Sequence, residues 1–349
     1  MSGEKKLAIS IGDSNGVGCE IILRELEWVL YQCGQLPKQP SSAGGDSSPS
    51  ALCAPIICAP IICAHKSLLE SALQTLLARG GVESKRASYI HCLLDMVRFE
   101  PPSLKPPPIH IAQITAQSGA YSFASFARAV ELASQDPHTA VLTLPIHKAA
   151  WKQAGVQYAG HTEYLRAHFK QEVIMVLGCK QMLVALFCDH IPLVRVSERI
   201  SVESYKEFLC TLESSLDFTQ ALVLGFNPHC GDCGAIGGEE DALIQAALES
   251  ANAAIGREAF VGVVAPDSAF TPAMRERFCV FVAPYHDVGL APLKALYFDQ
   301  SINISLNLPI VRTSVDHGVA FDIAYQGIAC TASFRNALHF ALTSLQARI

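Results

Sequence analysis

Short apolar runs alternate with helical stretches along almost the whole chain, and one run after another closes in a polar cluster. Lys6–Ile11 leads into the glycine turn Gly12-Asp-Ser-Asn-Gly-Val-Gly18, and residues 19–30 follow with apolar positions at helical spacing (Ile21, Ile22, Leu23, Leu26, Val29, Leu30). The pattern predicts helices over 67–77, 118–134, 202–216, 239–251 and 332–345, and an extended piece at 109–111 after the proline-rich connector 101–108. It predicts strands over 140–144, 173–177, 182–187, 221–225, 260–264, 280–283 and 302–308. Strands alternating with helices build an α/β protein with a largely parallel sheet, and ligands then bind outside the carboxyl ends of the strands.

Composition narrows the function classes. A chain of 349 residues buries a core without disulfides or metal staples. Its 17% charged residues fall below the usual ~25%, which leaves little polar surface to cover a monomer and points to an oligomer. The net charge of −6, with no basic cluster, argues against nucleic acid and anionic membrane as partners. An anionic ligand must be held by a few local cations. The most apolar stretch, residues 51–64, contains Pro55 and Pro60 and is shorter than the ~20 residues of a membrane span. It reads as a buried strand with its flanks. No apolar leader core precedes Asp13, and the 13 cysteines lie mostly inside apolar runs, so a cytoplasmic protein using cysteine as a small hydrophobe is expected. Residues 33–56 contain a Pro/Ser/Gly-rich segment without periodicity, read as a flexible insertion.

The chemistry sits where the strands end. Of 12 histidines, His147, His190, His229, His286 and His317 fall near predicted strand ends. A single such histidine is usually structural, but imidazoles on separate loops are also how divalent-metal sites are assembled. His190, His229 and His286 each have a carboxylate close by in sequence (Asp189, Asp232, Asp287) that could orient a ring. Three nitrogen ligands with open positions describe a catalytic metal. Cys230-Gly-Asp-Cys233 has no second C-x-x-C to complete a zinc site, so small residues in a crowded loop are the simpler reading. The glycine turn is neither a dinucleotide fingerprint nor a P-loop.

Read together, the strings IGDSNGVGCEI (11–21), LTLPIHKAAWKQAGVQYAGHTEYL (142–165), GFNPHCGDCGAIGGEE (225–240), VVAPDSAF (263–270), YHDVGLAPLKALYF (285–298) and INISLNLPIVRTSVDHGVAFDIAYQGIA (302–329) resemble the 4-hydroxythreonine-4-phosphate dehydrogenase family of pyridoxine biosynthesis. The resemblance implies metal ligands at His190, His229 and His286, and substrate contacts at His161, Thr162, Lys294, Asn303 and Arg312. Lys294, His161 and Asp287 are the candidates for proton transfer. It implies two α/β/α domains similar to isocitrate and isopropylmalate dehydrogenases: 1–142 with 305–349, and 143–304 carrying the metal site and dimer interface. A homodimer with its active sites at that interface, a small phosphorylated substrate, NAD or NADP, and Zn2+, Mg2+ or Co2+ complete the expectation. The nicotinamide contacts stay unassigned. The family's glycine turn more commonly reads GDPAGIGPE and its loop after NPH reads AGEGG, so Ser14, Asn15, Cys19 and the Cys230–Cys233 loop depart from it. Three other readings stay open: a paralogue oxidising threonate or erythronate phosphate, a non-catalytic metal- or ligand-binding relative, and an acyl-phosphate transferase on a related fold.

Overall fold

The computed structural model describes residues 4–37, 56–236 and 238–347. Most of the expected insertion at 33–56, namely 38–55, lies outside the described residues. Eleven strands follow the chain among the described residues: β1 (Lys6–Ser10), β2 (Ala59–Ile62), β3 (Arg98–Phe99), β4 (Thr139–Thr143), β5 (Ile174–Cys179), β6 (Met182–Cys188), β7 (Ala221–Leu224), β8 (Phe260–Val264), β9 (Val280–Tyr285), β10 (Ile302–Leu306) and β11 (Val311–Val315). They fall into two compact units, Met1–Phe169 with Pro309–Ile349, and Lys170–Leu308. The first unit therefore keeps 143–169, which the family resemblance places in the second domain.

In the first unit the strands run β3-β2-β1-β4-β11, all parallel. Every residue of β4 is buried, as are Leu7, Ala8, Ile9 and Ser10 of β1. Strands buried on both faces need cover on both, and the helices Gly18–Gln32, Lys66–Ala78, Ala116–Gln135 and Ala332–Ala347 supply it. The Ala116–Gln135 helix starts on a true cap, because Thr115 accepts from the Ser118 N–H. It packs against the short Lys148–Gln153 helix at Gly119, where an added Cβ would lie 2.1 Å from the Ala150 carbonyl oxygen. Gly119→Ala is expected to force these helices apart and destabilise the protein by about 1–3 kcal/mol, read as a lower melting temperature.

In the second unit the order is β10-β5-β6-β9-β7-β8. The β10/β5 and β5/β6 pairs are antiparallel, and β6/β9, β9/β7 and β7/β8 are parallel. Val184, Leu222, Phe281, Ala283 and Leu293 lie in one buried cluster between the sheet and the His286–Tyr297 helix.

Three local expectations change. Ile109–Ile111 forms no strand, since the chain turns there with Ala112 at φ 59°. The helix Ser84–Leu94 and strand β3 are additional elements. Arg312 lies inside a buried strand, β11, where the pattern predicts none. No helix among the described residues is long and apolar enough to cross a membrane.

Candidate active site

In the first unit, the expected substrate residues His161, Thr162 and Arg312 come together on two elements. His161 and Thr162 open the helix His161–Phe169, and Arg312 sits on β11 beside Val141 of β4. Arg312 is 1% exposed, and its Nη2 donates to Thr143 Oγ1 at 2.8 Å while lying 3.2 Å from His161 Nδ1. Burial pushes the guanidinium down to about 9, so it stays charged at neutral pH. Aromatic rings wall the imidazole: Phe126 at 4.4 Å and Trp151 edge-on at 5.5 Å between centroids. Trp151 is itself fixed by donating Nε1–H to Ser122 Oγ at 2.8 Å.

Desolvation first, and the Arg312 charge second, hold His161 well below its ordinary value. The sign follows from linkage. The unfolded chain takes up a proton near pH 6.5, the folded imidazole does so only at lower pH, and stability therefore falls as pH drops below the unfolded value. Between the two values the expected slope is about 1.4 kcal/mol per pH unit. Melting temperatures measured from neutral to mildly acidic pH check it, and His161→Gln should flatten the curve.

The residues around the glycine turn act as loop caps. Asp13 accepts from the Asn15 N–H at 3.0 Å and from Ser118 Oγ at 3.2 Å. Asn15, one of the departures from the family turn, donates to the Gln113 carbonyl and accepts from the His110 N–H, both at 2.8 Å. Burial pushes the Asp13 carboxyl up. Lys148 is exposed at the start of its helix, and His317 Nδ1 lies 3.0 Å from the Gly318 carbonyl. The Asp316 N–H donates to Ser333 Oγ at 3.1 Å.

In the second unit the register of the parallel strands places the expected metal ligands. Cys188 at the end of β6 pairs with Tyr285 at the end of β9, so Asp189-His190 and His286-Asp287 leave adjacent strand ends. The His190 and His286 rings lie 5.9 Å apart. Tyr285 passes into the His286–Tyr297 helix without a loop residue, which fixes where the His286 ring departs. Asp287 Oδ1 lies 2.8 Å from His286 Nδ1, leaving Nε2 as the outward nitrogen. Asp189 instead accepts from the His190 backbone N–H at 2.7 Å.

His229 leaves β7, on the other side of β9. Its loop is pinned by Asp241, which accepts from the Phe226 N–H at 2.6 Å, the Asn227 N–H at 3.1 Å and Asn227 Nδ2 at 2.9 Å. His229, Cys230, Asp232 and Cys233 all carry left-handed backbone, with φ of 52°, 52°, 47° and 55°. Non-glycine residues adopt that region at a cost. His229 is exposed on this loop, and no group of three His, Cys, Asp or Glu side chains among the described residues is drawn together to hold a metal. The structure thus brings the His190 and His286 rings within 5.9 Å of one another, tilted by 40°, and leaves His229 on the neighbouring loop. Cys230 and Cys233 are both free thiols.

Lys294 and Asn303 also belong to the second unit. Lys294 Nζ donates to Ser301 Oγ at 3.1 Å and lies over the Phe298 ring at 5.2 Å. Asn303 projects from β10 with a buried Oδ1 that meets no donor among the described residues. Sequence reasoning passed over Thr143, Trp151 and Asp241. Thr143 had a faint signal, as a hydroxyl closing an apolar strand. Asp241 had the signal of an acidic residue in a helix's first turn.

Residues 56–341 match the family of the pyridoxal phosphate biosynthetic protein PdxA. A 4-hydroxythreonine-4-phosphate dehydrogenase from Sulfurimonas denitrificans is 43% identical over 97% of both chains. One from Helicobacter pylori is 41% identical over 97% of this chain and 99% of its own. The crystal structure of the Klebsiella pneumoniae enzyme of that name superposes with a TM-score of 0.72 at 27% identity, covering 98% of this chain and all of the other. With the fold, the strand-end imidazoles and near-full-length similarity in agreement, the chain belongs to the PdxA family of pyridoxal phosphate biosynthetic proteins.

Proposed function

We propose that the protein oxidises the 3-hydroxyl of 4-phosphooxy-L-threonine with NAD or NADP, giving 2-amino-3-oxo-4-phosphooxybutanoate, which loses CO2 to leave 3-amino-2-oxopropyl phosphate. That the protein is a dehydrogenase of pyridoxal phosphate biosynthesis follows from family membership and from 4-hydroxythreonine-4-phosphate dehydrogenases at more than 40% identity. That near-full-length similarity is the observation that carries the reading. The geometry supports it with two separate provisions, a cationic anchor at Arg312 and a pair of imidazoles at strand ends.

His190 and His286, joined by His229 from the adjacent loop, are the residues that would hold a divalent cation such as Zn2+, Mg2+ or Co2+. The donor set fits, because Asp287 fixes the His286 ring and a second imidazole, His190, already lies close beside it. Such a cation, when bound, lowers the pKa of the substrate hydroxyl and holds negative charge on oxygen. Arg312 and Lys294 offer charge to the phosphate or carboxylate, Arg312 with the planar fork suited to both. Thr162, buried beside His161, and Asn303, with its buried acceptor oxygen, complete the polar contacts for the substrate. Lys294 and Asp287 are the proposed proton-transfer groups. The working form is a homodimer, with exposed Leu193, Val194, Ile236 and Phe298 of the second unit as the apolar surface available for it, and its location is the cytoplasm.

Purified protein supplied with 4-phosphooxy-L-threonine, NAD+ and a divalent cation should form NADH, followed by absorbance. Threonate and erythronate phosphates, tested in parallel, should turn over more slowly. No turnover of 4-phosphooxy-L-threonine in the presence of activity on either alternative would reassign the substrate.

A further inference from the structure

The contact between Arg312 and His161 also fixes where the imidazole keeps its proton, and the inference rests on the substrate-binding reading above. Arg312 Nη2 lies 3.2 Å from His161 Nδ1 and 2.8 Å from Thr143 Oγ1. A guanidinium has N–H donors only and no lone pair to offer. His161 Nδ1 must therefore accept, and an accepting Nδ1 carries no hydrogen. The ring's proton then sits on Nε2. A doubly protonated ring would set N–H against N–H and charge against charge.

His161 Nε2 is buried and meets no protein partner among the described residues. The groups set against the ring are Phe126 from the Ala116–Gln135 helix, Trp151 from the Lys148–Gln153 helix and Arg312 from β11. Only Arg312 is charged, and neither aromatic ring has an acceptor facing group to match an N–H. Buried polar groups in folded proteins are otherwise satisfied, so this N–H has the character of a donor kept for a ligand. Thr143 is fully buried and its hydroxyl points toward the Thr313 carbonyl at 3.5 Å. With its hydrogen turned there, its lone pair is left for Arg312.

We propose that His161 is a fixed neutral donor, giving its Nε2–H to an anionic oxygen of the substrate, while Arg312 sets the tautomer and Thr143 is the positioning residue that holds Arg312. The acceptor is a phosphate or carboxylate oxygen. His161 then takes no proton from the substrate during oxidation, because its basic nitrogen faces a cation, and proton transfer falls to Lys294 and Asp287.

Full-length protein labelled with 15N-histidine tests this directly, with long-range proton–nitrogen correlation spectra and His161→Asn for assignment. The expected pattern is a bare Nδ1 and a protonated Nε2, unchanged from about pH 5.5 to 8, the range in which an ordinary imidazole titrates. A protonated Nδ1, or a titration inside that range, overturns the proposal. Inorganic phosphate and acetate, added separately, should tell the two acceptors apart by which one shifts the Nε2 proton; a proton moved by neither overturns the ligand-facing role. Thr143→Val should raise KM for 4-phosphooxy-L-threonine about tenfold with kcat within about twofold, and Thr143→Ser should restore it. A lower melting temperature with unchanged KM overturns the positioning role. Failure of the dehydrogenase reading is separate: it appears as no NADH from any phosphorylated hydroxy acid and leaves the spectrum of the free protein as it was.

Discussion

His286→Ala is expected to lower kcat/KM by about 100- to 1000-fold, the range for removing one preorganised electrostatic group, and to weaken divalent-cation binding while the fold persists. The physical reason lies in the register of the sheet. Cys188 opposite Tyr285 puts His190 and His286 on adjacent strand ends, and the second of these begins a helix with no intervening loop. A ring held at such a junction needs little reorganisation to meet a cation. Its own Nδ1 is occupied by Asp287 at 2.8 Å, so the free nitrogen is chosen in advance. The side chain is 40% exposed, and its removal opens no cavity. Stability should therefore change by less than about 1 kcal/mol. Metal titration by calorimetry, steady-state rates and a melting curve on the same preparation separate the effects. His229→Ala should likewise abolish activity and weaken the metal, leaving the protein folded. An unchanged metal affinity and rate in both variants would remove these histidines from the reaction. Asp287→Asn gives an intermediate case, with metal affinity lower by about 10- to 100-fold through loss of the ring's orientation.

These positions were legible in the sequence because the strands carrying them are plain. MLVALFC and VFVAPY are continuous apolar runs, and each stops at a histidine with an acidic neighbour. Parallel strands buried on both faces give that signal without help from alternation. The strand around Arg312 gave the opposite impression. VRTSV holds three polar residues in five, which reads as a loop, yet all five are buried. Two of its polar groups find partners outside the strand, Thr313 Oγ1 in the Ala337 carbonyl at 3.1 Å and Arg312 Nη2 in Thr143 Oγ1 at 2.8 Å. Partners far apart in sequence leave no local trace. The same holds for the helix Ser84–Leu94, where only Ala87, Ile90, Leu93 and Leu94 are buried and the remainder is polar. The loop with His229 was legible as chemistry but not as shape. Its run of left-handed non-glycine residues follows a segment anchored by Asp241 from a later helix, and four such residues within five positions are not something residue preference predicts.

Trp151→Ala is expected to produce the largest loss of stability, about 3–5 kcal/mol, and to loosen the substrate anchor with it. Trp151 is fully buried between the Ala116–Gln135 helix and the imidazole of His161, meeting Phe123 and His161 edge-on at 5.2 and 5.5 Å. Deleting the indole leaves a void that Gly119 cannot fill, because that glycine is already pressed against the Ala150 backbone. Ser122 Oγ loses the indole N–H but keeps its own bond to the Gly119 carbonyl at 2.9 Å, so no buried hydroxyl is left unpaired. The loss is then one of packing, and it corresponds to a melting temperature lower by roughly 10 °C for a unit of this size. With one wall gone, the His161 ring has other rotamers open to it, and its line to Arg312 Nη2 is no longer enforced. KM for the phosphorylated substrate should rise along with the fall in stability. Trp151→Phe keeps most of the wall and gives up the hydrogen bond with part of the ring's volume, so it should recover much of both, falling short by about 1–2 kcal/mol. If Trp151→Ala melted early yet kept its KM, the imidazole would be held by Arg312 and Phe126 alone, and the indole would have no part in setting the anchor.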